Sequence, residues 1–330
     1  MAEFDMGEVA ALVTRALRSL GGAFQHVLDP EHRLFWLYLL TSLALAVATS
    51  LVRPRGLRRI AGLFSPRIWL HRSALLDYKL FLAKPLIHAV LFAPWIFSAT
   101  ALAVWTVHTL DSIHTVAATP LLSPGATRVV YTLVLFVSWD FSRFALHSLA
   151  HAVPTLWELH KVHHSAEVMT PMTLYRNHPI ENLLFQLRGL AVTGLVSGVF
   201  FHFFRSDAVQ YEIMGVNGVG FVFNLAGGNL RHSHVWLPLP PWLERLLMSP
   251  AQHQLHHSAE LRHCHKNLGS WLAVWDWLAG TLVTSRGNRP RRFGLPAHEL
   301  NHSPASLGSA LFGPLHAIAR RLAQGTRSVP

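Results

Sequence analysis

Apolar and polar positions alternate along this chain on the scale of whole helices. Apolar segments cover residues 34–52, 86–110, 128–147, 183–204 and 208–226. The first contains 19 residues without a charge, close to the roughly 20 that cross a bilayer as a helix. Residues 7–27 show instead the mixed pattern of an amphipathic helix lying at a membrane surface. The pattern therefore predicts an all-α, multi-pass transmembrane helical bundle.

Charge asymmetry between the connecting segments predicts an orientation. Residues 53–85 contain eight Lys or Arg, whereas residues 111–127 contain none. The positive-inside rule therefore places the former segment in the cytoplasm and the latter on the opposite side. With a hairpin over 183–226 and its tip at 205–207, the chain returns to the cytoplasmic face. Residues 147–178 and 232–265 then meet there as a histidine-rich cap.

Composition supports a membrane protein. Apolar residues make up 51% of the chain and charged residues 14%, against about 25% charged in typical soluble domains. The formal charge of +11 comes from basic residues beside apolar segments, which suits an anionic membrane surface better than nucleic acid. The single cysteine, Cys264, excludes an internal disulfide and a cysteine-ligated cluster. A preference for Arg over Lys is typical of GC-rich bacterial genomes and predicts a bacterial inner membrane.

Histidine is the most informative residue type. The chain has 23 His against 17 Asp plus Glu, and neutral imidazole is a common metal ligand. Three clusters, HSLAH, HKVHH and HQLHH, contain His147, His151, His160, His163, His164, His253, His256 and His257. On a helix, residues three and four apart share a face, so each cluster can direct two or three imidazoles to one point. Pro154 predicts a bend between the first two clusters. Eight imidazoles exceed the needs of one ion and predict two metals, although imidazole alone does not distinguish Zn, Cu, Fe and Ni.

The order of these motifs resembles the fatty acid hydroxylase/sterol desaturase superfamily, which comprises integral-membrane di-iron oxygenases. The resemblance covers about residues 130–284. It includes Asp140-Phe141 before the first box and TPMTLYRNHPIE after the second. It also includes RHSHVWLP before the third box and NLGSWLAVWDWLAGTL after it. Departures are Arg143 for a usual aromatic, His234 for Asn and His265 for Asp.

The resemblance implies ten metal ligands and supporting carboxylates. The implied ligands are His147, His151, His160, His163, His164, His178, His232, His253, His256 and His257. For His178 the sequence leaves two readings open, a ligand or part of a structural turn before a helix. Asp140 and Glu181 are the implied catalytic carboxylates, and Glu158 is a further candidate. Asp140 could orient a histidine or pair with Arg143, three residues along the same helix.

The implied function is an O2-dependent oxidation of a membrane lipid by two non-haem irons. Hydroxylation and desaturation both remain open, as does the identity of the lipid. A separate electron donor is expected, either a ferredoxin or a cytochrome with its reductase. A histidine-rich metal transporter and a di-haem electron carrier are the alternatives. The predicted organisation is N-terminal membrane and interfacial helices over 1–127, the catalytic domain over 128–284, and a basic cytoplasmic tail over 285–330 with a surface helix near 305–323.

Overall fold

The computed structural model describes residues 25–89, 98–114, 122–205 and 210–324, and they are mostly helical. A short antiparallel hairpin joins β1 (Glu212–Ile213) to β2 (Val216–Asn217). The α-helices are α1 (Trp36–Leu51), α2 (Gly56–Leu63), α3 (Pro66–Trp69), α4 (Arg72–Ile87), α5 (Ala99–Ile113), α6 (Pro124–Ala152), α7 (Pro154–His164), α8 (Pro179–Phe204), α9 (Gly218–Leu225), α10 (Pro250–His256), α11 (Val274–Ala279) and α12 (Leu307–Ala323). The prediction of a mainly helical chain is confirmed.

Two of these helices are long and apolar enough to cross a membrane. Helix α6 has 29 residues and α8 has 26, so they extend for about 43 and 39 Å at 1.5 Å per residue. Both lengths exceed the roughly 30 Å hydrocarbon layer. Helix α1, with 16 residues, is shorter than a usual span. The number of crossings drawn from five apolar segments remains a prediction.

Helices α5 and α8 run side by side and in the same direction. A Cβ atom placed on Gly194 or Gly198 would lie 2.8 Å from the carbonyl oxygen of Ala99 or Ala103, respectively. Two glycines four residues apart thus let the α5 and α8 backbones approach closely, as in many membrane helix pairs. Near the carboxyl end of α8, the Nδ1 of buried His202 lies 2.6 Å from Asp111. That end of α8 therefore lies beside the carboxyl end of α5.

The apolar segment over 208–226 was predicted to form one arm of a membrane hairpin, but its described part, residues 210–226, is not one long helix. The chain there forms β1, a turn, β2 and the eight-residue α9. The turn residues Met214 and Gly215 both have positive φ, 54° and 80°, as a tight two-residue hairpin turn requires. Asn217 then caps α9 by accepting from the backbone N–H of Val219 at 3.1 Å. The turn residues and the capping asparagine thus determine the structure of this segment, despite its apolar composition.

Short helices near the ends of α6 and α8 carry the second and third histidine boxes. Helix α6 ends at Ala152 and α7 begins at Pro154, which confirms the predicted bend between the first two boxes. The helix expected near 305–323 is also present as α12. It packs on α7, where Arg321 donates to Glu158 at 2.8 Å. All but the last three residues of the amphipathic helix predicted over 7–27 lie outside the described residues.

Candidate metal centre

Nine histidines meet in two adjacent groups between α6, α7, α10 and the 3-10 helix Gly228–His232. Within each group, the ligand atoms all lie within 4.8 Å of one another. We call them the first set, His147, His151, His160, His164 and His256, and the second set, His163, His232, His253 and His257. All nine side chains are buried. The three boxes were predicted to lie close together, and they do so.

The second and third boxes each contribute to both sets. In the HKVHH box on α7, His160 and His164 point to the first set and His163 to the second. In the HQLHH box, the assignment is reversed, because His253 and His257 join the second set. Residues four apart share one face of a helix, and the residue between them is rotated to one side. The doubled histidine of each box is therefore what divides the site into two.

Hydrogen bonds determine which ring nitrogens face the first set. His147 donates from Nδ1 to the carbonyl oxygen of Leu268 at 2.6 Å, and His160 donates from Nδ1 to Glu181 at 2.6 Å. A neutral imidazole that donates from Nδ1 has a bare Nε2. The Nε2 atoms of His147 and His160 lie 3.0 Å apart. Two lone pairs therefore face each other, an arrangement that a shared cation stabilises.

The same donor pattern continues in the remaining boxes. His256 donates from Nδ1 to the carbonyl oxygen of Lys266 at 2.8 Å, and His163 donates from Nδ1 to that of Arg176 at 3.2 Å. Burial lowers the pKa of His256 and of His163 to about 3. Both rings are therefore neutral at pH 7 and present a bare Nε2. In the second set, the Nε2 of His232 lies 2.9–3.2 Å from those of His163, His253 and His257.

These features fit transition-metal ions. Both ring nitrogens of His151 and the Nε2 of His256 are buried without a hydrogen-bond partner, which costs about 1–3 kcal/mol per group unless something binds there. Neutral imidazole suits Fe, Zn, Cu and Ni. The acceptors behind His147, His160 and His256 fix their ring orientation, as outer partners do in metal sites. We conclude that the residues present can hold two ions.

Two buried carboxylates hold the loop that orients His147. Asp140 on α6 accepts from the backbone N–H groups of Trp271 and Leu272 at 3.0 Å each, and from Trp275 Nε1 at 2.9 Å. Asp276 accepts from the backbone N–H groups of Leu268 and Gly269 at 2.7 and 2.6 Å. The carbonyl oxygen of Leu268 accepts the hydrogen bond from His147. Asp140 therefore acts on the site through this loop.

Neither contact that the sequence suggested for Asp140 is formed. Among the described residues it bonds to no histidine, and the nearby Arg143 donates from Nε to Ser270 at 2.8 Å instead. The groups that Asp140 and Arg143 contact all lie within residues 270–275, more than 120 positions further along the chain. Spacing within α6 could not reveal this partner. The motif NLGSWLAVWDWLAGTL, which contains these partners, was the available signal.

A second structural pair, missed by the sequence reasoning, supports α7. Arg176 is almost fully buried and donates to Asp77 on α4 at 2.8 Å and to the carbonyl oxygen of Val162 at 3.0 Å. Val162 lies beside His163, whose Nδ1 proton goes to the carbonyl of Arg176 itself. This pair therefore fixes both the end of α7 and one ligand of the second set. An acidic residue within an apolar stretch of α4 was the signal.

The comparison with known families agrees with this geometry. Residues 132–281 match the fatty acid hydroxylase family, and the match contains all nine gathered histidines. We call this region, which is similar to that family, the hydroxylase domain. The resemblance predicted from the ordered motifs is confirmed.

Known relatives of the hydroxylase domain act on lipids or lipid-derived molecules according to their names. The chain is 31% identical over 167 residues to human alkylglycerol monooxygenase and 30% identical over 158 residues to an ornithine lipid hydroxylase of Rhizobium tropici. These alignments cover 50% and 48% of the chain but only 33% and 42% of the relatives. A very-long-chain aldehyde decarbonylase of rice is 26% identical over 71% of the chain and 84% of the relative. No solved structure matches significantly.

Four residues considered from the sequence lie outside both histidine sets. His178 accepts from the backbone N–H of Ile180 at 3.2 Å and donates to the carbonyl oxygen of Leu311 at 2.9 Å. Both its ring nitrogens are therefore used in capping α8 and holding α12, which favours the structural reading. Glu158 pairs with Lys161 and Arg321. His234 lines a separate pocket, and the ring of His265 lies 5.4 Å from that of His151.

Proposed function

We propose that this hydroxylase domain uses two non-haem irons and O2 to hydroxylate a membrane lipid. The observation that carries the proposal is the pair of interleaved sets of buried imidazoles whose Nε2 atoms face one another, His147 with His160 and His232 with its three neighbours. When bound, the irons would supply the power to activate O2 and oxidise an unactivated C–H bond, which side-chain acids and bases cannot do. In the proposal, the first set holds one ion and the second set the other.

The residues of the chain would then orient and protect the centre. Glu181 keeps the proton of His160 on Nδ1, so that Nε2 remains free for the ion. Asp140 and Asp276 keep the carbonyl of Leu268 in place behind His147. Burial of all nine rings excludes water, which strengthens the electrostatic interactions at the centre.

Hydroxylation is favoured over desaturation because two relatives with at least 30% identity are named a monooxygenase and a hydroxylase. A lipid substrate fits the apolar helices α6 and α8, whose ends adjoin the site. A separate ferredoxin, or a cytochrome with its reductase, would deliver electrons. The metal-transporter alternative is not favoured, since the histidines cluster at helix ends rather than on broken helices at the bilayer midplane.

The proposed setting is a bacterial inner membrane with the site facing the cytoplasm. The catalytic domain would cover 128–284 between membrane helices over 1–127 and a basic tail over 285–330. Cysteine labelling in a Cys264→Ser background tests the topology. Exposed Ser112 and Arg286, replaced singly by Cys, should react with an impermeant reagent from opposite faces, and reaction from the same face would contradict the orientation.

Metal analysis tests the function more directly. The purified protein should hold two metal ions per chain and oxidise a lipid in the presence of O2 and a reductant. His160→Ala and His253→Ala each remove a ligand from a different set and should lower the metal content and abolish turnover. His316→Ala, at an exposed position on α12, is the control. Full metal content and turnover in both ligand variants would overturn the proposal.

His178→Ala separates the two readings of that residue. If His178 only caps α8, the variant should unfold more easily yet still bind two ions after purification. Loss of one ion from a well-folded variant would show instead that His178 is a ligand.

A further inference from the structure

A small basic pocket lies at the carboxyl end of α1, outside the metal centre. Its cavity of about 130 Å³ is bounded by the end of α1, by α2 and by residues 234–236. Arg53, Arg59 and Arg289 all line it, together with Ser50 and Thr49, and no acidic residue does. Arg289 comes from a segment 230 positions beyond Arg59, so folding brings these charges together.

Contacts within the protein hold the three guanidinium groups in place. Arg53 donates to the carbonyl oxygen of Trp236 at 2.9 Å, and Arg59 donates from Nε to that of Pro54 at 3.0 Å. The guanidinium of Arg289 lies 5.7 Å from the centre of the Trp236 ring. Side chains already ordered lose less conformational entropy when a ligand binds. Arg53 and Arg59 are thereby partly ordered before a ligand binds, although Arg59 and Arg289 are exposed to solvent.

The charge in the pocket is uncompensated. Among the described residues, none of these three arginines forms an ion pair. Burial and the nearby charges of Arg59 and Arg289 lower the pKa of Arg53. The carboxyl end of α1 contributes about half a negative charge, against three positive charges. The pocket is therefore suited to an anion.

The size and border of the pocket indicate which anion. Its volume lies below the roughly 300–1,000 Å³ of pockets that enclose a whole drug-sized ligand, so it suits a single charged group. Leu51 and Val52, which lie between the lining residues Ser50 and Arg53, and Leu57 at the start of α2 have exposures of 56%, 84% and 80%. Apolar side chains beside clustered arginines match a lipid, with its headgroup bound and its chains outside. We propose that this pocket binds the phosphate group of a membrane phospholipid.

The pocket shares a backbone segment with the metal centre. His232 of the second set is followed two residues later by His234, which lines the pocket. On α10, Gln254 lies between two metal-facing histidines and donates to the carbonyl oxygens of Leu230 and Val235 at 3.1 and 2.8 Å. A lipid held here would therefore lie beside the centre. The proposal goes beyond the proposed function and does not depend on it, since binding is measured without turnover.

Native mass spectrometry of the purified full chain tests the pocket. The probes are short-chain phosphatidic acid, diacylglycerol of the same chain length and inorganic phosphate. Phosphatidic acid should bind most tightly, because it offers both the phosphate and the apolar contacts. Diacylglycerol binding as strongly as phosphatidic acid would overturn the proposal. Equal affinity for inorganic phosphate would assign the pocket to a free anion and overturn the lipid assignment.

Paired variants on α2 provide the matched control. Arg59→Gln and Arg289→Gln should each weaken phosphatidic acid binding by about tenfold or more, as expected for a lost hydrogen bond to a charged group. Arg58→Gln removes the same charge one position away, at a residue that does not line the pocket, and should retain binding. Equal losses in Arg58→Gln and Arg59→Gln would show only general attraction to basic surface and overturn the site. Unchanged metal content in each variant confirms that it is folded.

Discussion

Replacing Glu181 by Gln perturbs one atom of the site without changing its size. Glu181 accepts a hydrogen bond from Nδ1 of His160 at 2.6 Å. Its second oxygen is buried and has no hydrogen-bond partner among the described residues. The neutral amide is a weaker acceptor than the carboxylate. If its NH2 group turns towards Nδ1, the proton of His160 moves to Nε2 and the ring can no longer bind an ion. We therefore expect the variant to fold but to bind metal in the first set more weakly.

Loss of such an outer partner typically weakens metal affinity about 10- to 100-fold, which corresponds to about 1.4–2.8 kcal/mol. Competition with graded chelator concentrations, followed by metal analysis of the protein, measures this directly. Glu167→Gln is the control, because Glu167 pairs with exposed Arg72 at the surface, where ion pairs contribute about 0–1 kcal/mol. Wild-type metal affinity in Glu181→Gln would refute the reasoning.

Three further predictions follow from buried groups and close contacts. Because burial lowers the pKa of His163 and His256 to about 3, the metal-free protein should be stable above the unfolded pKa of 6.5. Below that pH its free energy of unfolding should fall by up to about 1.4 kcal/mol per pH unit for each histidine. Denaturant titrations at pH 7 and pH 5 can measure this fall. Gly198→Ala should lower the melting temperature by forcing α5 and α8 apart, whereas Gly189→Ala, whose Cβ would lie 3.7 Å from its nearest neighbour, should not. Arg176→Ala should destabilise the fold by about 3–5 kcal/mol by leaving its buried carboxylate partner unpaired; chemical denaturation near wild-type midpoint would contradict this.

The sequence predicts best those features that depend on neighbouring residues. The spacing of His160, His163 and His164 places three imidazoles on neighbouring faces of a helix, whatever the rest of the fold. The meeting of the boxes followed from segment order and charge asymmetry. The bend before α7 followed from Pro154, since proline is accommodated at a helix start and disfavoured inside one.

The features that the sequence does not predict depend on contacts between residues far apart in the chain. Asp140 accepts three hydrogen bonds from residues 271–275, some 130 positions away, and the partner of Asp77 lies 99 residues away. Contacts over such separations leave no periodic pattern in the sequence. The hairpin at Met214 and Gly215 was hidden because apolar residues suit β-strands as well as membrane helices. The division of the histidines between two sets required the relative rotation of α7 and α10.

The exchange of histidines between the second and third boxes has a consequence for loading the protein with metal. An ion in either set joins the helix of His160–His164 to that of His253–His257, so it fixes the spacing that the other ion needs. Binding of the first ion then bears the entropic cost of ordering the two helices, and the second ion binds ligands that are already arranged. Loading is therefore expected to be cooperative, with empty and fully loaded chains predominating over singly loaded ones during titration with scarce metal.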